Sequence, residues 1–439
     1  MIYTWVGLLL SHARADCQLE AGIETSFLQI SIENVTLHSV SEGDAWIGME
    51  NMHLSIYLIC FLLIPICAVA FAGPRWALAT MITCADSLCT ELPMAIFALV
   101  AEDPFSLGAL VATKPLGQAL ATPLVIQFTR QRELHSMKLG LLLQSAGLFL
   151  QAFTPSLGAW FAARAAQGVG SALMLGAISA MMGDATKETG DSGRGLFTYS
   201  MWLGLICGAP FGGICFAIES FLPFLFLGLA DLILLTALHF KMDAPSKPMP
   251  GIPRDVLAPL RYPMISRPLA LLCLVVMYGA ALQAMIFKVM EEDLQLGVVP
   301  ASFTWLFQAW PMILTSLLLG PAAQGIGFRL IMLTGLLVVG SGALIVDDKS
   351  FMCLIAELVV AGLALGAENA TVPRLLEDVA SRNFDDTSAT WTLLNLGQQI
   401  GYVLGPLIGA VLYHVGGLRT MCRAFGVLLI GYALSHTVD

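Results

Sequence analysis

The sequence predicts an all-α membrane protein built as two six-helix lobes, with one further helix in front of them left open. Three observations predict it. The 439 residues are 57% hydrophobic and only 12% charged, with a mean hydropathy of +0.80; a soluble domain carries roughly 45–50% apolar and about 25% charged residues. The apolar residues fall in runs of the length a helix needs, about 20 residues, to cross a hydrocarbon core about 30 Å thick. Six such runs, a polar linker and six more make up most of the chain.

The first six runs are 76–100, 106–128, 137–153, 156–182, 196–217 and 220–240. The linker, 241–267, carries Lys241, Lys247, Pro245, Pro248, Pro250 and Pro253. The second six are 268–290, 302–323, 328–346, 351–373, 388–413 and 418–436. The chain therefore divides into an extension (1–75), a first lobe (76–240), a cytoplasmic linker (241–267) and a second lobe (268–439). With the linker in the cytoplasm, cytoplasmic loops hold fourteen Lys and Arg and the opposite loops three, Lys349, Arg419 and Arg423. That asymmetry is what the positive-inside rule requires of this register.

A further apolar run, 54–72, would place residues 1–53 outside the cytoplasm. That stretch holds the sequon Asn34-Val35-Thr36, a glycosylation acceptor only if lumenal. Ala13-Arg14-Ala15 follows a short apolar start like a cleavage site, but the charged n-region of a signal peptide is missing. The alternatives are a poorly ordered tail or an artefact of the gene's assigned start. Net charge is −10 with no basic patch, which argues against nucleic acid as a partner. The ten cysteines form no CxxC pair, and neither they nor the seven histidines show metal-ligand spacing, so no metal and no cofactor beyond a proton gradient is expected. No Walker loop or HExxH motif argues for an enzyme.

An internal repeat sharpens the fold. The fifth run holds Gly204, Gly208, Pro210, Gly212 and Gly213; the eleventh holds Gly401, Gly405, Pro406 and Gly409. Glycines four apart let helices approach closely and proline bends them. Recurrence six spans later is the pattern of a duplicated six-helix half, the major-facilitator fold, whose site lies near midplane between the lobes.

Ionisable side chains within spans cost at least about 2.5–3.5 kcal/mol and are functional candidates. Here they are Asp86, Glu91, Lys114, Arg164, Asp231, Lys288, Glu357 and Glu368. Asp86–Lys114 is the first interior pair to expect. Glu91, Lys288 and Glu357 read as near helix ends, where they could snorkel. A desolvated carboxylate can bind either a proton or an ammonium ion, the simplest chemistry of antiport.

From about residue 76 to 436 the sequence resembles the vesicular amine transporters, the major-facilitator family that loads monoamines or acetylcholine into vesicles. The resemblance is carried by Arg164, Gln167, Gly168 and Gly170 (R-x-x-Q-G-x-G), by the fifth-span glycines with Pro210, and by Asp231. These are shared with drug/proton antiporters. Cys84-Ala85-Asp86-Ser87, Ala112-Thr113-Lys114-Pro115 and Gly401-Tyr402-Val403-Leu404-Gly405-Pro406 point to the vesicular family itself. In span ten either Glu368 or Asn369 takes the place of the family's aspartate.

What the resemblance implies is exchange of lumenal protons for a small organic cation by a monomer in the lipid bilayer of a secretory or synaptic vesicle, the plasma membrane being the alternative. Asp86, with Ser87, Tyr402 and Asn395, would bind the ammonium. Asp86, Lys114, Glu368, Arg164 and Asp231 would form the proton-coupling network, Lys114 holding the acids in one access state. The sequence departs from the family where Asn395 replaces a span-eleven aspartate. Span seven reads as shortened around Phe287-Lys288-Val289 and offers no match for a family glutamate. The lumenal loop after span one shrinks to about Ala101–Pro104. Two other readings therefore stand beside the first: a drug- or polyamine-type antiporter of another membrane, and a transport-dead paralogue with a binding or regulatory role.

Overall fold

The computed structural model describes residues 74–129, 133–189, 191–241, 258–347, 350–383 and 388–437. The run 54–72, the Asn34 sequon and residues 242–257 of the linker lie outside the described residues.

With no water to satisfy backbone groups, a membrane chain forms helices whose bonds are internal. In the first half these are α1 (Pro74–Glu91), α2 (Met94–Val100), α3 (Pro104–Thr129), α4 (Glu133–Phe153), α5 (Leu157–Thr189), α6 (Asp191–Ile218) and α7 (Leu222–Lys241). A 3-10 turn, Ala258–Arg261, leads into the second half. There follow α8 (Pro263–Glu292), α9 (Val298–Thr304), α10 (Leu306–Ile326), α11 (Phe328–Ile345), α12 (Phe351–Asn383) and α13 (Ser388–Thr437).

Nine described segments are long and apolar enough to cross a membrane. One of them, Thr392–Ser435, is two crossings divided at Gly416 and Gly417, where the backbone leaves the helical region. Helices α3 and α4, with 26 and 21 residues, are also long enough to span, which brings the crossings to the expected twelve. Large apolar residues such as Leu120, Leu124, Ile233, Leu318 and Ile345 stand exposed on the outside, as a lipid-facing surface demands. On the side of the membrane reached after α2, the connections among the described residues are short: 101–103, 154–156, 219–221, 293–297 and the Gly416–Gly417 turn.

The repeat seen in the sequence recurs in the packing. Span one packs on span five (α1 on α6) as span seven packs on span eleven (α8 on α13). Likewise α3 packs on α5 as α10 packs on α12, and α4 on α7 as α11 on α13. The paired glycines make these contacts. A Cβ at Gly208 would come within 2.6 Å of the Glu91 Cβ, and one at Gly401 within 2.8 Å of the Cys273 carbonyl. The halves meet through α3 on α13, α2 on α8 and α6 on α9.

Two sequence expectations need correction. Span seven is not shortened: α8 is an uninterrupted helix of 30 residues, Pro263–Glu292. Lys288 suggested an end because it is charged, but the helix runs on past it, and its ammonium donates to the Ala101 carbonyl at 3.2 Å and pairs with Glu292 at 2.9 Å. Glu91 and Glu357 do not snorkel either; both are buried and hydrogen-bonded inside the protein.

Candidate functional site

The site begins with a broken helix. Span one is interrupted between α1 and α2 at Leu92 and Pro93. Proline has no N–H, so the carbonyl four residues earlier, that of Cys89, loses its helical donor. Arg164 of α5 supplies one: its Nη1 lies 2.9 Å from the Cys89 oxygen. The guanidinium is fully buried, 5.2 Å over the Phe97 ring, and Nη1 also reaches Gln167 Oε1 at 3.2 Å. Gln167 in turn donates to Gln151 at 2.6 Å. Arg164 Nε and Nη2 have no hydrogen-bond partner among the described residues.

One turn before the break lies the expected pair. Lys114 Nζ is 3.0 Å from Asp86 Oδ1, 2.9 Å from the Asp86 carbonyl and 2.6 Å from Thr90 Oγ1. Ser171 of α5 donates to the same Oδ1. Lys114 and Asp86 are only 2% and 6% exposed, so each charge is stable there mainly because the other is present. Gly168 explains how Lys114 reaches in: it lies directly against the Lys114 carbonyl, where a side chain would not fit, and so brings α3 and α5 into backbone contact. Gly170 does the same for α5 against Gly140 of α4. Gly204, Gly208 and Gly212 lay α6, bent by Pro210, along α1 and the break, while Gly213 meets Ser302 and Val298 of α9.

Asp231 of α7 is fully buried and feels the charges of Asp86 and Lys114; Gln144 is its polar neighbour, short of hydrogen-bond geometry. Ser87 is buried beside Asp86, under Gly204. The structure thus brings together Asp86, Ser87, Lys114, Arg164, Gln167 and Asp231, all in the first half.

The second-half candidates stand apart from this network. Lys114 has its partners, Asp86 and Thr90, within the first half. Glu368 is fully buried against Gly335 of α11, with neither oxygen hydrogen-bonded among the described residues. Its neighbour Asn369 accepts instead from Gln398 of α13 at 3.4 Å, and Asn395 accepts from Gln399 at 3.2 Å. These two hydrogen bonds, one between α12 and α13 and one within α13, are made by neutral amides. Tyr402 is half-buried and within electrostatic reach of Glu91; Gly405 presses α13 onto α8, and the Pro406 carbonyl meets Gly108 of α3.

The sequence reading left Glu91 and Gln283 out of the site. Glu91 ends α1 at the break, is 1% exposed, and accepts a hydrogen bond from Gln283 of α8 across the two halves. Pro93, two residues beyond a charged residue inside an apolar run, is the signal that could have found it.

Comparison with known proteins fits this geometry. The Major Facilitator Superfamily model matches residues 269–437. The chromaffin granule amine transporter of Rattus norvegicus is 27% identical over 350 residues, covering 76% of this chain and 65% of the relative. The vesicular acetylcholine transporter of Homo sapiens is 26% identical over 351 residues with the same coverage. The chain thus spans just under two thirds of the length of these relatives. In fold, the bacterial homologue of the human lysosomal transporter Spinster, inward-facing and occupied, superposes with a TM-score of 0.68 at 14% identity, covering 84% of this chain and 96% of that one. The nucleoside transporter NupG superposes with a TM-score of 0.63 at 15% identity, covering 83% and 97%. The chain is a multi-pass membrane protein with the major-facilitator fold. In sequence it is similar, at 26–28% identity, to vesicular amine and acetylcholine transporters.

Proposed function

We propose that this protein carries a small organic cation across a vesicle or organelle membrane in exchange for protons, by alternating access of its two lobes. The observation that carries the reading is the buried Asp86–Lys114 pair inside the first lobe. A carboxylate held by an ammonium in a dry site can exchange that partner for a proton. Protonation of Asp86 weakens its hold on Lys114, and two states of the lobes that differ in this pairing shift in population. Asp231, in electrostatic contact with both, adjusts the balance, while Arg164 keeps the broken span in shape. The similarity to a chromaffin granule amine transporter and a vesicular acetylcholine transporter points to amines and acetylcholine as cargo.

The test is uptake of labelled monoamines, acetylcholine and polyamines into acid-inside vesicles containing the protein, with and without a proton ionophore. Ionophore-sensitive accumulation that Asp86→Asn abolishes is the expected result. Accumulation of polyamines alone would favour the drug- or polyamine-type antiporter. Accumulation unaltered by Asp86→Asn would remove Asp86 from the coupling.

A second reading is favoured by the amides Asn369, Asn395, Gln398 and Gln399, whose mutual hydrogen bonds involve no titrating group. On this reading the protein binds or regulates without transporting. Uptake gained by Asn395→Asp, and absent from the natural sequence, would establish it.

A further inference from the structure

The carboxylate that a cation entering between the lobes would meet is set by geometry, and Asp86 is poorly placed for it. Its Oδ1 is held by Lys114 and by Ser171, both from the first half, so an incoming ammonium would have to share that carboxylate with a buried lysine. Glu91 is different. It lies where α6 and α8 both approach span one: Gly208 of α6 packs on its Cβ, and Gln283 of α8 donates to its Oε2. Tyr402 of α13 feels its charge. Its hydrogen-bond partner across the lobes is a neutral amide, which an ammonium ion can replace without separating a charge pair.

The break adds a second contribution. Glu91 is the last residue of α1, and a helix C-terminus carries partial negative charge. Broken spans use such ends to hold cations. The basic groups acting on Glu91 are Arg164 of α5 and Lys114 of α3. Both have other acceptors in hand, the Cys89 carbonyl and Asp86, and neither makes an ion pair with Glu91 among the described residues.

We infer that Glu91, with Gln283, forms the ammonium-binding subsite between the lobes, and that Asp86 serves the internal pair with Lys114 instead. The inference rests on the transport reading for its biological sense, but it concerns binding and can fail or stand separately. It also ties binding to conformation. A cation that takes the Glu91 carboxylate from Gln283 removes a bond between the halves at the moment it is bound.

The experiment is binding by the full chain in lipid nanodiscs, read as the rise in melting temperature produced by acetylcholine, serotonin and spermine. At least one of these should stabilise the natural protein. Glu91→Gln should weaken its apparent affinity by about tenfold or more, as expected for loss of a buried charge partner. The exchange Glu91→Gln with Gln283→Glu returns the carboxylate to the other end of the same hydrogen bond and should restore most of the affinity. Undiminished binding by folded Glu91→Gln, failure of the folded exchange variant to recover, or no stabilisation of the natural protein by any of the three cations would overturn the assignment. Glu91-dependent binding without ionophore-sensitive uptake would uphold the subsite while refuting transport. Uptake with binding indifferent to Glu91 would do the reverse.

Discussion

Arg164 stands in for the N–H that Pro93 lacks. Its Nη1 lies 2.9 Å from the Cys89 carbonyl, the acceptor that an ordinary residue at 93 would have satisfied. A buried acceptor left without a donor costs about 1–3 kcal/mol. Arg164→Ala should therefore lower the melting temperature of the purified protein. Adding Pro93→Ala to that variant should recover part of the loss, because the restored backbone N–H can reach Cys89. Additive losses would mean that Arg164 acts elsewhere.

For the Asp86–Lys114 pair the single and double substitutions should differ in kind. Removing one member of a buried ion pair costs about 3–5 kcal/mol, since the other is left uncompensated. Asp86→Asn and Lys114→Gln should each destabilise strongly, and the double variant by much less than their sum. A double-mutant cycle on detergent-solubilised protein measures the coupling.

Two glycines offer a control on helix packing. Gly168→Ala drives a methyl into the Lys114 carbonyl, so folded yield should fall sharply. Gly431→Ala meets nothing within 4 Å and lies in α13, where alanine favours the helix by roughly 1 kcal/mol, so it should be neutral or slightly stabilising. Size-exclusion profiles of the two variants separate these outcomes.

Asp103 begins α3 as an N-cap. Oδ1 accepts the Phe105 and Ser106 amides at 2.8 and 3.0 Å, and Oδ2 accepts the Ser106 hydroxyl at 2.6 Å. The Ser106 bonds hold its carboxyl below the usual aspartate range. A lowered folded value means the cap's extra stability is present above the unfolded value of about 3.9 and is lost as pH falls through the folded one. Protection of the Phe105 and Ser106 amides, taken relative to the intrinsic exchange rate at each pH, should fall over that acid window. Asp103→Asn should remove the pH dependence while keeping the cap, and Asp103→Ala should lose both.

Much of the architecture was legible because lipid makes it so. Apolar run length marks each span, and the glycine spacing in the fifth and eleventh predicts the close contacts seen against the first and seventh. Asp86–Lys114 could be expected because a charge within a span needs a partner. Hydropathy could not show that Pro93 divides span one, and so Glu91 read as a snorkelling residue rather than the buried end of a broken helix. Helix phase was equally hidden. Glu368 and Asn369 are neighbours in sequence, yet one packs on Gly335 of α11 and the other meets Gln398 of α13. Gln283 carries no charge, so nothing in an apolar run marked it out.

The short connections on one face have a consequence for the protein's durability. Among the described residues, a protease on that side meets turns of two to five residues at 101–103, 154–156, 219–221, 293–297 and Gly416–Gly417, too short to enter an active-site cleft without unravelling a helix. A compartment rich in hydrolases could lie against that face without cutting these turns. Enzymes that clip, tag or modify the described helical body would have to work mainly from the face that carries the linker.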